Sequence, residues 1–171
     1  KIPFDEEINI KSDEIPRENL THLQSIAIDN SGSSDADDAI SLNNNIVWIH
    51  IADVASKVPY DGELESYAQQ RISNLYLPNQ VIHMLPTNLT PLCSLGESET
   101  SQAISIGFKM IENQITNIQV MPSNIKVEKM SYKEADKVIK EHKALSKLNS
   151  LTKSHKAFRN NNGAIKLDFP T

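Results

Sequence analysis

Four aspartates fall within ten positions, Asp29, Asp35, Asp37 and Asp38, and no other feature limits the possible folds so sharply. Carboxylates this crowded repel one another and are stable as anions only where cations neutralise them. They cannot enter a core, so the chain must turn them outward on strand ends or loops. The flanking residues suggest how. Gln24 to Asp29 is a short apolar run that reads as a strand ending at the first aspartate. A polar loop, Asn30-Ser31-Gly32-Ser33-Ser34, leads to Asp35-Ala36-Asp37-Asp38. Ala39 to Leu42 resumes as strand, Asn43-Asn44-Asn45 supplies a turn, and Ile46 to Val54 returns as a buried strand carrying Trp48. In an extended segment Asp35 and Asp37 point to one side and Asp38 to the other. A bend near Asp37 would let them converge, with Asp29 facing the same point.

Hard carboxylate oxygens in such a group suit magnesium or manganese rather than zinc. The competing reading is a set of solvated turn formers, since Ser-Ser-Asp is also a good helix cap. An EF-hand loop is excluded, because neither the central glycine nor the terminal glutamate falls in place from Asp29 or Asp35.

Further along, Leu64 to Arg71 is a short helix candidate. Asn74 to Leu95, interrupted by Pro78, Pro86 and Pro91, reads as a long irregular loop. Ile104 to Met121 suggests a hairpin turning near Glu112-Asn113-Gln114, and Ile125 to Met130 another strand. At Ser131 the period changes. Ser131 and Glu134 form a capping-box pattern, and Ala135, Val138, Ile139, His142, Leu145 and Leu148 follow at helical spacing. This helical region, broken in two, runs towards Asn160, with Gly163 as its stop. The fold class is α+β: mostly antiparallel strands around the carboxylate site, followed by a helical C-terminal segment. Residues 1–19, polar and containing Pro3 and Pro16, read as an arm or linker, and 20–171 as the folded portion.

At 171 residues the chain can bury one real core. No apolar run is long enough to span a bilayer, so no membrane role is expected. One cysteine, Cys93, excludes an internal disulfide and fits a reducing cytoplasm. It sits in an apolar context that reads as buried, with no assigned chemistry. The net charge of −5 runs against phosphate binding, but the lysines gather from Lys126 to Lys166, by default a solvated helix face. His50 could be a ligand or base, yet on an apolar strand it reads as a satisfied core histidine. Asp53 reads as a loop-ordering hydrogen-bond acceptor, with support of the site from behind as the alternative, and Arg71 as a structural partner of a nearby acid, against a phosphate contact.

The words around the aspartates carry a resemblance. Ile28-Asp29, Ser34-Asp35-Ala36-Asp37-Asp38-Ala39-Ile40-Ser41 and His50-Ile51-Ala52-Asp53-Val54 resemble the RNB catalytic domain of the ribonuclease II and ribonuclease R family. The likeness continues through Ala68, Arg71, Leu75-Tyr76-Leu77-Pro78, Met84-Leu85-Pro86, Leu92-Cys93-Ser94-Leu95 and Gly163-Ala164-Ile165. It implies a magnesium-dependent 3′-to-5′ exoribonuclease that hydrolyses single-stranded RNA to nucleoside 5′-monophosphates. By position, Asp29, Asp35, Asp37 and Asp38 would hold the metal, with Asp37 and Asp38 catalytic. Tyr76 would stack on a base near the 3′ end, against the alternative of a packing tyrosine.

The family's domain extends well beyond this chain. Its second part, with an acidic helix and an arginine-bearing motif, and its flanking OB-fold domains are not in this sequence. The expectation is therefore the N-terminal portion of the domain, weak or inactive alone. It would be completed within the same polypeptide or by another chain; the opening Lys1 fits a piece of something longer. The alternative is a non-catalytic RNA- or metal-binding relative.

Overall fold

The computed structural model describes residues 15–33 and 35–165. Its centre is a seven-stranded sheet in the order β1-β8-β7-β4-β3-β2-β9. The strands are β1 (Glu18–Asn19), β2 (Ser25–Asp29), β3 (Asp38–Asn43), β4 (Ile46–Ala52), β7 (Ser101–Ile111), β8 (Gln114–Ile125) and β9 (Val127–Ser131). The five inner strands pair antiparallel, while each edge strand, β1 on β8 and β9 on β2, runs parallel to its neighbour. The α+β class and the mostly antiparallel sheet are as the residue patterns indicate.

Two hairpins organise the sheet through left-handed turn residues. Asn44 and Asn45 have φ of 47° and 67°, and Glu112 and Asn113 of 50° and 64°, the handedness that tight hairpins require. Strand alternation then sorts side chains to two faces. Val47 and Phe108 join Ile40, Leu42, Ile49 and Ile106 under Leu148 of α4 (Lys143–Asn161). On the opposite face Trp48 packs with Ala27, Ala39, Ala103, Leu20, Leu95 and Ile125. Small residues dominate there because Trp48 fills the space. A Cβ at Gly107 would lie 2.7 Å from Trp48 Cζ3 and 2.8 Å from Cη2, so only glycine fits.

The helical end follows its caps. Ser131 Oγ accepts from the Glu134 amide while the Glu134 carboxylate accepts from the Ser131 amide, starting α3 (Tyr132–Val138). Helix α4 begins separately after His142 and ends at Gly163 (φ 86°). The Gly163 amide donates to Asn160 and that of Ala164 to Arg159, the Schellman arrangement.

Three expectations change. The stretch Asn74–Leu95 is not a plain loop: it holds a small hairpin, β5 (Leu75–Leu77) with β6 (Gln80–Ile82), and a single helical turn, α2 (Thr90–Cys93). Its three-residue strands are too short to show alternation. Cys93 is half-buried rather than buried. Of the arm expected over 1–19, residues 1–14 lie outside the described set; the rest joins the fold, for β1 extends the sheet and Arg17 donates to Asp53 at 2.7 Å. Helix α1 (Glu63–Arg71) forms as expected. No helix among the described residues is long and apolar enough to cross a membrane.

Candidate active site

The four aspartates stand where β2 ends and β3 begins. Asp29 is the last residue of β2 and Asp38 the first of β3. Between them, two backbone bonds pin the connecting loop: Leu95 N–H donates to Ala36 O at 2.9 Å, and Ala52 N–H to Asp37 O at 2.8 Å. Ala36 is thereby drawn into the core beside Leu95, and Asp35 and Asp37 flank it on the outward side. Strict alternation would then bury Asp38. It is exposed instead, so the pattern slips by one residue between Asp37 and Asp38, and two successive carboxylates face solvent.

Hydrogen bonds treat the four unequally. The Ser33 hydroxyl lies 2.6 Å from Asp29 Oδ2 and 2.9 Å from Asp35 Oδ1, bridging two anions with one proton. The Asn30 amide donates to Asp29 Oδ1 at 2.7 Å. Ser33 first, then Asn30, with attraction from Lys129, hold the Asp29 carboxyl below its usual range. Asp37 goes the other way. Partial dehydration of its carboxyl, then the charges of Asp35, Asp38 and Asp29, push it above the ordinary carboxylate value. Because the residue remains solvent-exposed, we give the like-charge repulsion more weight than the dehydration.

Asp37 therefore feels the charge of the other three. Even so, among the described residues no three Asp, Glu, His or Cys side chains converge closely enough to hold a metal ion. The donor chemistry suits a hard divalent cation, which would relieve the repulsion that raises Asp37. A cavity of about 150 Å³ beside Asp29 is lined by Asp29, Ser33, Lys129 and Glu134 but not by the other three aspartates. A larger one, about 930 Å³, is apolar, lies among Val58, Tyr60, Ala68, Ile72 and Leu85, and contains none of the four.

The remaining candidates fall as follows. Tyr76 sits on β5, 71% exposed and paired with Val81, on a hairpin separate from the strands that carry the aspartates. Asp53 orders its loop, accepting from the Ser56 amide and from Arg17. Arg71 donates to the His83 carbonyl at 3.2 Å and lies over the Tyr67 ring at 4.5 Å, a structural role. Burial pushes the Cys93 thiol up, against the attraction of Lys57, which makes it a poor nucleophile. His50 is fully buried, and desolvation pushes it down to about 4, so it is neutral at physiological pH. It is hydrogen-bonded to Ser25, Ser41 and Ser105. Only strand register gathers these serines, so the sequence pattern carries no signal for them, and Ser33 stands in it only as part of a polar loop.

Comparison with known proteins identifies the family and the fold. The RNB domain pattern matches residues 17–171. Ribonuclease R of Chlamydia pneumoniae is 34% identical over 169 residues, which is 91% of this chain and 25% of that protein. The structure of Mycoplasma genitalium RNase R in complex with ribose methylated single-stranded RNA superposes with a TM-score of 0.81 at 26% identity. It covers 90% of this chain and 27% of that one. Yeast Ssd1, a pseudonuclease, shares the fold with a TM-score of 0.74 at 22% identity, over 85% of this chain and 20% of Ssd1. The chain thus spans about a quarter of the length of the relatives it matches.

Proposed function

The chain belongs to the RNB domain family, and from that premise we propose that it forms one wall of an exoribonuclease active site. The reaction is hydrolysis of single-stranded RNA from the 3′ end, dependent on magnesium, with release of nucleoside 5′-monophosphates. One observation carries the reading: four carboxylates gather where β2 ends and β3 begins, with Asp37 and Asp38 both turned to solvent. A group this repulsive is stable at neutral pH when cations occupy it.

Asp29, Asp35, Asp37 and Asp38 would hold Mg²⁺, with Mn²⁺ a competent substitute. When bound, a pair of such ions supplies an activated water and charge stabilisation for the leaving 3′-oxygen. The chain's own residues do the rest. Ser33 and the Asn30 amide keep Asp29 ionised and oriented, and the pinned carbonyls of Ala36 and Asp37 fix the loop that aims Asp35 and Asp37. Tyr76 offers an exposed ring for stacking on a base, a contact indifferent to sequence. The other wall comes from the remainder of the RNB domain, in the same or another chain, and this chain alone is weak or inactive. The cytoplasm is the compartment that fits one unpaired cysteine.

The second reading is a non-catalytic RNA- or metal-binding relative. It draws on the lack of three converging ligand groups among the described residues. One variant separates the two. In the complete domain, Asp37→Asn lowers Mg²⁺-dependent release of labelled mononucleotide from a 3′-labelled single-stranded RNA by about a thousandfold, with RNA affinity within a few-fold. Cleavage that survives within tenfold overturns the assignment of Asp37. A wild-type domain that binds RNA without releasing nucleotides favours the second reading.

A further inference from the structure

The strands that carry the aspartates share one buried node. His50, in β4, is fully enclosed and stands opposite Ala39 of β3 and Ser105 of β7. Its Nε2 lies 2.9 Å from Ser41 Oγ of β3 and 3.3 Å from Ser25 Oγ of β2. Its Nδ1 lies 2.6 Å from Ser105 Oγ, which is 2.5 Å from Ser123 Oγ of β8. Ser123 Oγ reaches the Ala103 carbonyl at 3.2 Å.

The direction of this chain of bonds follows from counting protons. A carbonyl only accepts, and each serine hydroxyl has one proton to give. Ser123 therefore donates to Ala103, and Ser105 must spend its proton on Ser123. Ser105 is then an acceptor towards His50, so the ring proton sits on Nδ1. That leaves the Nε2 lone pair to accept from Ser41 and Ser25.

What the relay ties together is uneven elsewhere. The β3–β4 ladder runs over six residue pairs and β2–β9 over five, but β2 and β3 are registered at Ile26↔Ile40 alone. The two strands that end and begin in the aspartates are thus the most weakly paired neighbours among β2, β3, β4 and β9. His50 adds a second tie beside that pair, by holding Ser25 and Ser41 on one nitrogen.

We propose that His50, as the Nδ1–H tautomer, is a positioning residue that fixes the spacing of Asp29 from Asp37 and Asp38 by clamping β2 and β3 to β4. This rests on the reading of those aspartates as the metal-binding wall. It differs from ordinary packing in requiring both an acceptor and a donor at position 50.

The test uses the chain with ¹⁵N-labelled histidine at pH 7, together with His50→Phe and His50→Gln. Phenylalanine keeps a ring and loses both ties; glutamine retains a donor and an acceptor. In the wild type, the Nδ1 resonance is protonated and Nε2 is not; the opposite tautomer overturns the proposal. Amide exchange across the β2–β3 pair rises about tenfold or more in His50→Phe. It returns to within about threefold of wild type in His50→Gln, with the distal end of the β3–β4 ladder unchanged in both. Equal acceleration in both ladders reduces His50 to a general stability role and also overturns it. Should His50→Phe fail to fold, Ser25→Ala removes the β2 tie and gives the same selective exchange. Mn²⁺ affinity, read by its electron-spin resonance, falls at least tenfold in His50→Phe and recovers in His50→Gln. A wild-type chain that binds no Mn²⁺ sinks the metal reading, while tautomer and exchange still decide the role of His50.

Discussion

The sheet holds two polar groups in opposite states, one buried on its Trp48 face and one at its rim. Around His50, four serines from four strands are buried and each hydroxyl has a partner, so a low dielectric works in favour of the bonds. At the rim, burial and the neighbouring charges raise the Asp37 carboxyl, and the hydrogen bonds favour only Asp29 and Asp35. The buried group spends its polarity on holding strands. The rim keeps its polarity unsatisfied, which is what a site for a cation or a phosphate needs, and which costs stability until something binds.

Perturbing each group should therefore move stability in opposite directions. The largest effect belongs to the buried face. Gly107→Val forces carbon into Trp48 and costs about 3 kcal/mol in a denaturant melt of the chain; a neutral result would mean that Trp48 has room to move. Next, Ser105→Ala leaves His50 Nδ1–H and the middle of the relay unpaired, a loss of about 2 kcal/mol. A loss below about half a kcal/mol would mean that water replaces the hydroxyl.

The smallest effect should have the opposite sign, at the rim. The Asp37 carboxyl is held above its ordinary value in the folded chain, so the native state binds a proton more readily than the unfolded one. Its charge therefore costs nothing below the unfolded value near 4 and costs stability once pH rises through the raised native value. Asp37→Asn accordingly stabilises the metal-free chain at pH 7, by about 0.5 kcal/mol after allowance for solvent screening. The gain disappears as pH falls below about 4, and Mg²⁺ narrows it at pH 7. Thermal melts at pH 7 and pH 3.5 check this, and a destabilised Asn variant at pH 7 would break the contrast between face and rim.

What the sequence made legible was local. The capping box at Ser131 and Glu134, the asparagine turn at 43–45, the Glu112–Asn113 hairpin and the Gly163 stop are set by neighbouring residues, and each formed where the pattern placed it. The outward direction of Asp35 and Asp37 follows from Ala36 between them. The rest depends on pairing at a distance. Ser25, Ser41, Ser105 and Ser123 are undistinguished until β2, β3, β7 and β8 align around β4. Strands β1 and β9 find their parallel partners far along the chain, and no local signal announces either. The slip that exposes both Asp37 and Asp38 depends on the bonds from Leu95 and Ala52, which lie well outside the motif.

The parallel edge at β9 also sets an order of assembly. The hairpins β3–β4 and β7–β8 close over a few residues, whereas Ser25 meets Val127 only after about a hundred residues of loop have been drawn in. Long-range pairing of this kind is slow and comes late. A chain emerging from the ribosome thus exposes β2, with Asp29 at its tip, long before the strand that completes it has been synthesised. The segment that anchors the carboxylates is among the last to lock, and nascent or truncated forms that stop before Ser131 would leave it an open strand edge.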